Sequence, residues 1–391
     1  MLSYRRVLGI RGVPATMALM FFARLPATTM GLVLTLHVVT DLGRGYSAAG
    51  LVGTATTLGS AAGAPLLGRM IDRFGLRPVV AVCGGVSATY WVSSPHLPYP
   101  VLVVVALPAG MLAVPIGSLA RQVLTALVPA EQRRSAFSLD SISLETSFMV
   151  GPAAGVAIAT QVSPAAALTA IGAWLAAVSV ALCWFDPPIR HEDEQTTGHR
   201  PPLRDWLTRR LATTLVTGTG ALFCLAGLEF AALAALRADG EVGLTGVVMV
   251  VMCVASAVGG LVYGAALRSL SQPTLAVLLA ALTIPVALFA EPWWLLAIAL
   301  IPANLACAPT LTATAEEVTA AVPARVRGEA MGLLDSATRL GIAAGSPVVG
   351  FVLDHSSAAW GFVASGLGGL ALAACGSALR RRARSTVPVN V

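Results

Sequence analysis

Apolar residues run in long stretches along this chain, broken at regular intervals by short clusters of arginine, proline and glycine. A helix needs about 20 mostly apolar residues to cross ~30 Å of hydrocarbon. Runs of that length fall at about 13–40, 47–67, 78–95, 99–121, 136–160, 164–185, 210–236, 242–267, 273–290, 292–315, 329–353 and 359–379. The pattern predicts an all-α membrane protein with twelve transmembrane helices. The tightest connections fall at Pro98 and Pro292. Strands are excluded, because an open sheet leaves backbone groups unpaired in lipid and barrel strands are shorter and alternate in polarity.

Composition agrees. Of the 391 residues, 56% are hydrophobic and 11% charged, against about 25% charged in soluble domains. The first run follows Arg5, Arg6 and Arg11, as a signal peptide would. It contains Arg24 and exceeds the length of a signal core, so it is expected to be an uncleaved first span. The 25 basic residues are all arginine, which leaves no lysine for a phosphate-binding loop or a Schiff base. With the amino terminus inside and the spans alternating, 21 of the 25 arginines fall on the inner side, and only Arg44 and Arg237 fall outside. This bias sets the expected topology, with both termini cytoplasmic. It also accounts for the net charge of +6 without nucleic acid. The six cysteines form no CxxC pair, so packing is their expected role, with no metal site.

The longest polar stretch, Asp186 to Arg210, holds four prolines and the acidic run Glu192, Asp193, Glu194. It is expected to be a cytoplasmic linker, residues 186–209, between an amino-terminal bundle, 1–185, and a carboxy-terminal bundle, 210–391, ending in a short basic tail. The halves repeat. Val128-Pro129-Ala130 recurs as Val322-Pro323-Ala324 at an offset of 194, and Leu139-Asp140-Ser141 as Leu334-Asp335-Ser336 at 195. Two pseudo-symmetric six-helix bundles form a transporter architecture.

The loop after the second run reads Gly68-Arg69-Met70-Ile71-Asp72-Arg73-Phe74-Gly75-Leu76-Arg77. Its glycines suit a tight reversal, and Asp72 can accept from an arginine or a helix amino terminus. An ordinary basic loop would also look like this. Gly68, Asp72, Arg73, Gly75 and Arg77 resemble the loop motif of the major facilitator superfamily, in sequence and in position. The resemblance implies a loop that steadies the outward-facing state against the second half. Gly151-Pro152-Ala153-Ala154-Gly155 in span five resembles the motif of the superfamily's drug/proton antiporters, which implies efflux. A generic kinked helix of small residues is the alternative. The arginine that the family often carries in span four is expected to be missing, because Arg121 falls at that span's end.

Charges within spans are costly in lipid and mark partners or wet cavities. Arg24 and Glu145 are expected near the midplane and could pair, as a proton- or substrate-responsive element or a static bridge. Glu229 in span seven and Asn304 in span ten are further candidates for substrate or proton contact. Asp335 and Arg339, four apart, can pair along one helix. Asp335 could instead face the Asp72 loop, and Asp140 is its repeat counterpart near the inner surface.

No cofactor is expected, and soluble-enzyme motifs are missing, so an enzyme is not expected. The expected function is secondary active transport by alternating access, acting as a monomer in the plasma membrane. Its expected partners are protons, lipid and a small amphipathic organic compound that it exports. Uptake of a small polar metabolite is the second expectation. A membrane-embedded sensor or enzyme is the third.

Overall fold

The computed structural model describes residues 2–190, 201–266 and 270–384. The acidic run at 192–194, residues 267–269 and the end of the basic tail lie outside them. A short helix α1 (Leu2–Leu8) precedes the first bundle, which consists of α2 (Val13–Leu36), α3 (Tyr46–Phe74), α4 (Leu76–Ser93), α5 (Tyr99–Met111), α6 (Ile116–Leu127), α7 (Arg133–Gln161) and α8 (Pro164–Phe185). The single turn α9 (Leu203–Trp206) lies in the linker. The second bundle holds α10 (Arg209–Ala238), α11 (Thr245–Ala265), α12 (Gln272–Thr283), α13 (Trp293–Leu305), α14 (Cys307–Ala321), α15 (Arg327–His355) and α16 (Ala358–Arg384).

Ten stretches among the described residues are long and apolar enough to cross a membrane. The other two crossings, α3 and α4, are diluted by glycine, serine, threonine and arginine, and they complete the twelve. Local signals set several starts. Ser163 accepts from the Ala166 amide at 3.0 Å with Pro164 next in line, and Thr208 accepts from Leu211 at 3.3 Å.

Spans four and ten are each two helices in series. Span four breaks between Met111 and Ile116, and span ten breaks at Ala306. Pro108 and Pro115 flank the first break, and Pro302 and Pro309 flank the second. Each pair of prolines is repeated at an offset of 194, so the duplicated sequence carries a duplicated break. The break extends span four to Leu127 instead of the expected 121. Arg121 therefore lies within the span, which corrects the expectation of a span four without charge.

The bundles meet where α3 packs along α15 and α7 along α11 and α14. These contacts gather toward the end of the bundles where α2 begins and α16 ends, here the terminal side. Gly68 lies so close to α15 that an added Cβ would stand 2.1 Å from the Gly328 carbonyl oxygen, and at Gly332 it would stand 2.3 Å from that of Ala64. Ser336, one turn deeper, donates to the Ala61 carbonyl.

Candidate functional site

Helix α7 carries the site because its two faces do different work. One face is Arg134, Ser135, Ser138, Ser141 and Glu145, at the three- and four-residue spacing of a helix stripe. It addresses the second bundle. Arg134 donates to the Ala266 carbonyl at 3.1 Å and pairs with Glu316 at 3.6 Å. Ser135 donates to Gly264 at 2.7 Å, Ser138 to the Gly260 carbonyl, and Ser141 pairs with the Thr312 hydroxyl at 3.2 Å. Glu145 is the deepest of the five. Its carboxylate accepts from Ser256 of α11 at 2.7 Å and lies 3.8 Å from the Cys307 sulfur. Ser256 in turn accepts from the Ala308 amide at 3.2 Å, just past the break in span ten.

The other face of α7 turns into its own bundle. Asp140 is buried there and holds two arginines. Arg24 of α2 reaches one carboxylate oxygen at 2.7 Å and the Asp140 carbonyl at 3.3 Å. Arg121 of α6 lies 3.7 Å from the other oxygen. The expected Arg24–Glu145 pair is thus corrected. Five residues turn a helix by about 140°, so Asp140 and Glu145 cannot face the same neighbour. Among the described residues, Asp140 pairs neither across the bundles nor along its own helix. Its bonds stay within the first bundle, with 4% of its side chain exposed. Asp335 of the second bundle acts electrostatically on Arg121. Asp335 itself pairs with Arg339 at 2.8 Å along α15, as the four-residue spacing predicts.

Deeper on the same face of α7, Gly151 and Gly155 seat α2. A Cβ on Gly151 would stand 2.2 Å from the Thr28 hydroxyl, and one on Gly155 would stand 2.0 Å from a Thr29 methyl. The Gly-Pro segment, with Pro152 inside the helix, is therefore a close-packing surface between spans one and five.

The loop motif divides its labour. Gly75, at φ +84°, makes the reversal between α3 and α4. Asp72 accepts from the amides of Gly328 at 3.1 Å and Glu329 at 2.9 Å, which caps the amino terminus of α15 across the seam. Gln122, beside Arg121, donates to the same carboxylate at 3.1 Å. Asp335 does not take part in this contact. Arg77 pairs with Asp186 at 3.1 Å, and the Arg73 guanidinium lies over the Phe74 ring, so both have partners in or next to their own bundle.

Glu229 of α10 is exposed, feels the charge of Glu145 and acts electrostatically on Cys307. It belongs to the Glu145 cluster, and Arg24 does not. Asn304 is buried and donates to its own helix at Leu300, 2.9 Å away. Sequence reasoning missed Gln122 and Ser256, which carry no charge to single them out.

The family model described as Major Facilitator Superfamily matches residues 16–271 and 230–390. The chain belongs to the major facilitator superfamily. Solved major facilitator structures superpose over nearly its whole length. The human organic anion transporter MFSD10 (TETRAN) is 18% identical with a TM-score of 0.73, covering 95% of this chain and 99% of that one. A variant of the Escherichia coli fucose:proton symporter FucP is 16% identical at 0.70, covering 93% and 98%. The proton:xylose symporter XylE, bound to 6-bromo-6-deoxy-D-glucose, is 14% identical at 0.70, covering 95% and 94%. At such identities the likeness is one of fold. No curated protein sequence matches.

Proposed function

We propose that this transporter works by alternating access as a proton-coupled exporter of a small amphipathic organic compound, acting as a monomer in the plasma membrane. The terminal side is the cytoplasmic side, as the arginine bias supports. Residues 1–185 and 210–391 are the two moving bodies, joined by 186–209. The observation that carries the reading is the chain of contacts running into the membrane along α7 and ending at Glu145, which accepts from Ser256 of the opposite bundle. A carboxylate bonded across the seam that must part is placed to couple proton binding to the parting. Its ionised form accepts from Ser256, and a proton on it removes the charge that this bond answers. Glu229 shares the Glu145 environment and is the second proton candidate. The resemblance of Gly151-Pro152-Ala153-Ala154-Gly155 to the antiporter motif supports export.

Reconstitution tests this. With the purified protein in proteoliposomes under an imposed pH gradient, a panel of labelled amphipathic compounds is expected to move against the proton flow. Glu145→Gln is expected to abolish the dependence on the gradient while leaving exchange at equal pH. Gradient-driven transport unchanged in Glu145→Gln sinks the coupling assignment.

A second reading is uptake of a small polar metabolite. Its support is that FucP and XylE are described as sugar:proton symporters. Accumulation of labelled monosaccharides in the direction of the proton gradient, with no movement of the amphipathic panel, selects it.

A further inference from the structure

The terminal-side seal contains more than the twelve spans. Helix α1 buries Tyr4 and Val7, three residues apart on one face, and exposes Arg5 and Arg6. The Tyr4 hydroxyl donates to the Leu261 carbonyl of α11 at 2.6 Å and lies 3.4 Å from that of Gly260. The amino-terminal helix of one bundle is thus bonded to the far bundle. Gly264 provides the slot. A Cβ there would stand 2.4 Å from the Tyr4 hydroxyl and 2.6 Å from the Cβ of Ser138. Val7 enters an apolar cluster built from both bundles, with Val13 and Phe137 of the first and Leu211, Val318 and Val326 of the second. Trp206, from the linker turn α9, fills the same cluster and is 2% exposed.

We propose that α1 and Trp206 form a removable plug that holds the terminal side shut, and that the inward-facing state requires both to leave the seam. The inference rests on the alternating-access reading. Only residues 9–12 join α1 to α2, with Gly12 at φ +92° making the reversal. Four residues reach at most about 14 Å, so α1 cannot follow α11 through a large displacement while still packing against α2. The Tyr4 bond breaks, or the seam stays closed. Trp206 and Val7 share a cluster built from both bundles, so parting the bundles opens the pocket that holds them. Both segments lie outside the twelve spans, so the plug adds a contact that the spans alone do not provide.

Hydrogen–deuterium exchange of the full chain in nanodiscs, without added ligand, tests the plug. The readout is exchange at Tyr263–Ala265 of α11 and Arg327–Ala330 of α15. Tyr4→Phe, which removes one oxygen, is expected to raise exchange there about two- to tenfold, the effect of one hydrogen bond. Trp206→Ala is expected to raise it further. Arg6→Ala, on the exposed face, is expected to match wild type. Asp72→Asn serves as a separate opening of the seam. If it raises exchange at both segments while Tyr4→Phe and Trp206→Ala do not, the plug is refuted and the rocking motion stands. If none of the three variants moves these segments, both ideas fall. A rise spread evenly over all helices in Tyr4→Phe also overturns the plug, because it marks general destabilisation.

Discussion

Asp140 stands between two arginines, with Arg24 at 2.7 Å from one carboxylate oxygen and Arg121 at 3.7 Å from the other. All three are at least mostly buried, and each comes from a different helix, so the carboxylate ties spans one, four and five together.

Removing that charge leaves two arginines facing each other at membrane depth. Breaking a buried ion pair by removing one partner costs about 3–5 kcal/mol. Asp140→Asn is expected to lower the melting temperature of the detergent-solubilised protein by several degrees. Arg24→Leu in the Asp140→Asn background is expected to recover part of the loss. A melting curve unchanged by Asp140→Asn would show that the cluster contributes nothing to stability.

Asp72 caps α15 from across the seam, through two amides and with a charge at a helix amino terminus. Caps and such charges contribute about 1–2 kcal/mol together. Asp72→Asn keeps an acceptor and loses the charge, so a partial effect is expected. Spin labels on the exposed Phe74 and Leu270 should then report a new population of longer distances. A distribution identical to wild type would contradict the latch.

Gly332 admits the backbone of α3 at a separation no side chain allows. Gly332→Val is expected to prevent full closure of the terminal side and to lower transport at least tenfold, while the protein remains folded by circular dichroism. Wild-type transport in this variant would mean that the α3–α15 contact is not used in the cycle.

The Tyr4 hydroxyl lies outside the spans. Burial pushes its pKa above the ordinary 10.0, against a smaller opposing effect from the Ser138 hydroxyl. For an acid raised in this way, the docked form is fully favoured below the undocked pKa and is lost as pH rises through the docked one. Exchange protection of Tyr263–Ala265 should therefore stay flat between about pH 5 and about pH 9 after correction for intrinsic rates, and fall only above about pH 10. Loss of protection near neutral pH would point to a different titrating group.

Much of this was readable in the sequence because lipid imposes length and polarity on a span. The count of twelve, the repeat and the loop motif all come from that constraint or from short local patterns, and Asp335–Arg339 follows from a spacing within one helix. The pairing of Arg24 depended on which way α7 is turned, and hydropathy does not encode rotation. The apolar run of span four closes at Arg121 and Gln122, while the helix continues to Leu127, so hydropathy alone puts Arg121 at the end. Tyr4 and Trp206 sit in helices of seven and four residues, too short to show a period. Ser256 is an ordinary hydroxyl until α7 brings a carboxylate to it.

The matched breaks in spans four and ten set the scale of any swing. An unbroken helix of 29 residues is a lever of roughly 43 Å, at ~1.5 Å per residue. Split at Leu112–Pro115, the terminal-side arm α6 has 12 residues, or roughly 18 Å. For a given angle, an arm pivoting at the break sweeps less than half the distance and leaves the outer segment where it was. At Ala306 the terminal-side arm α14 has 15 residues, or roughly 22 Å, about half of its span. An arm that turns at either break moves its own end of the span without turning the whole length of helix.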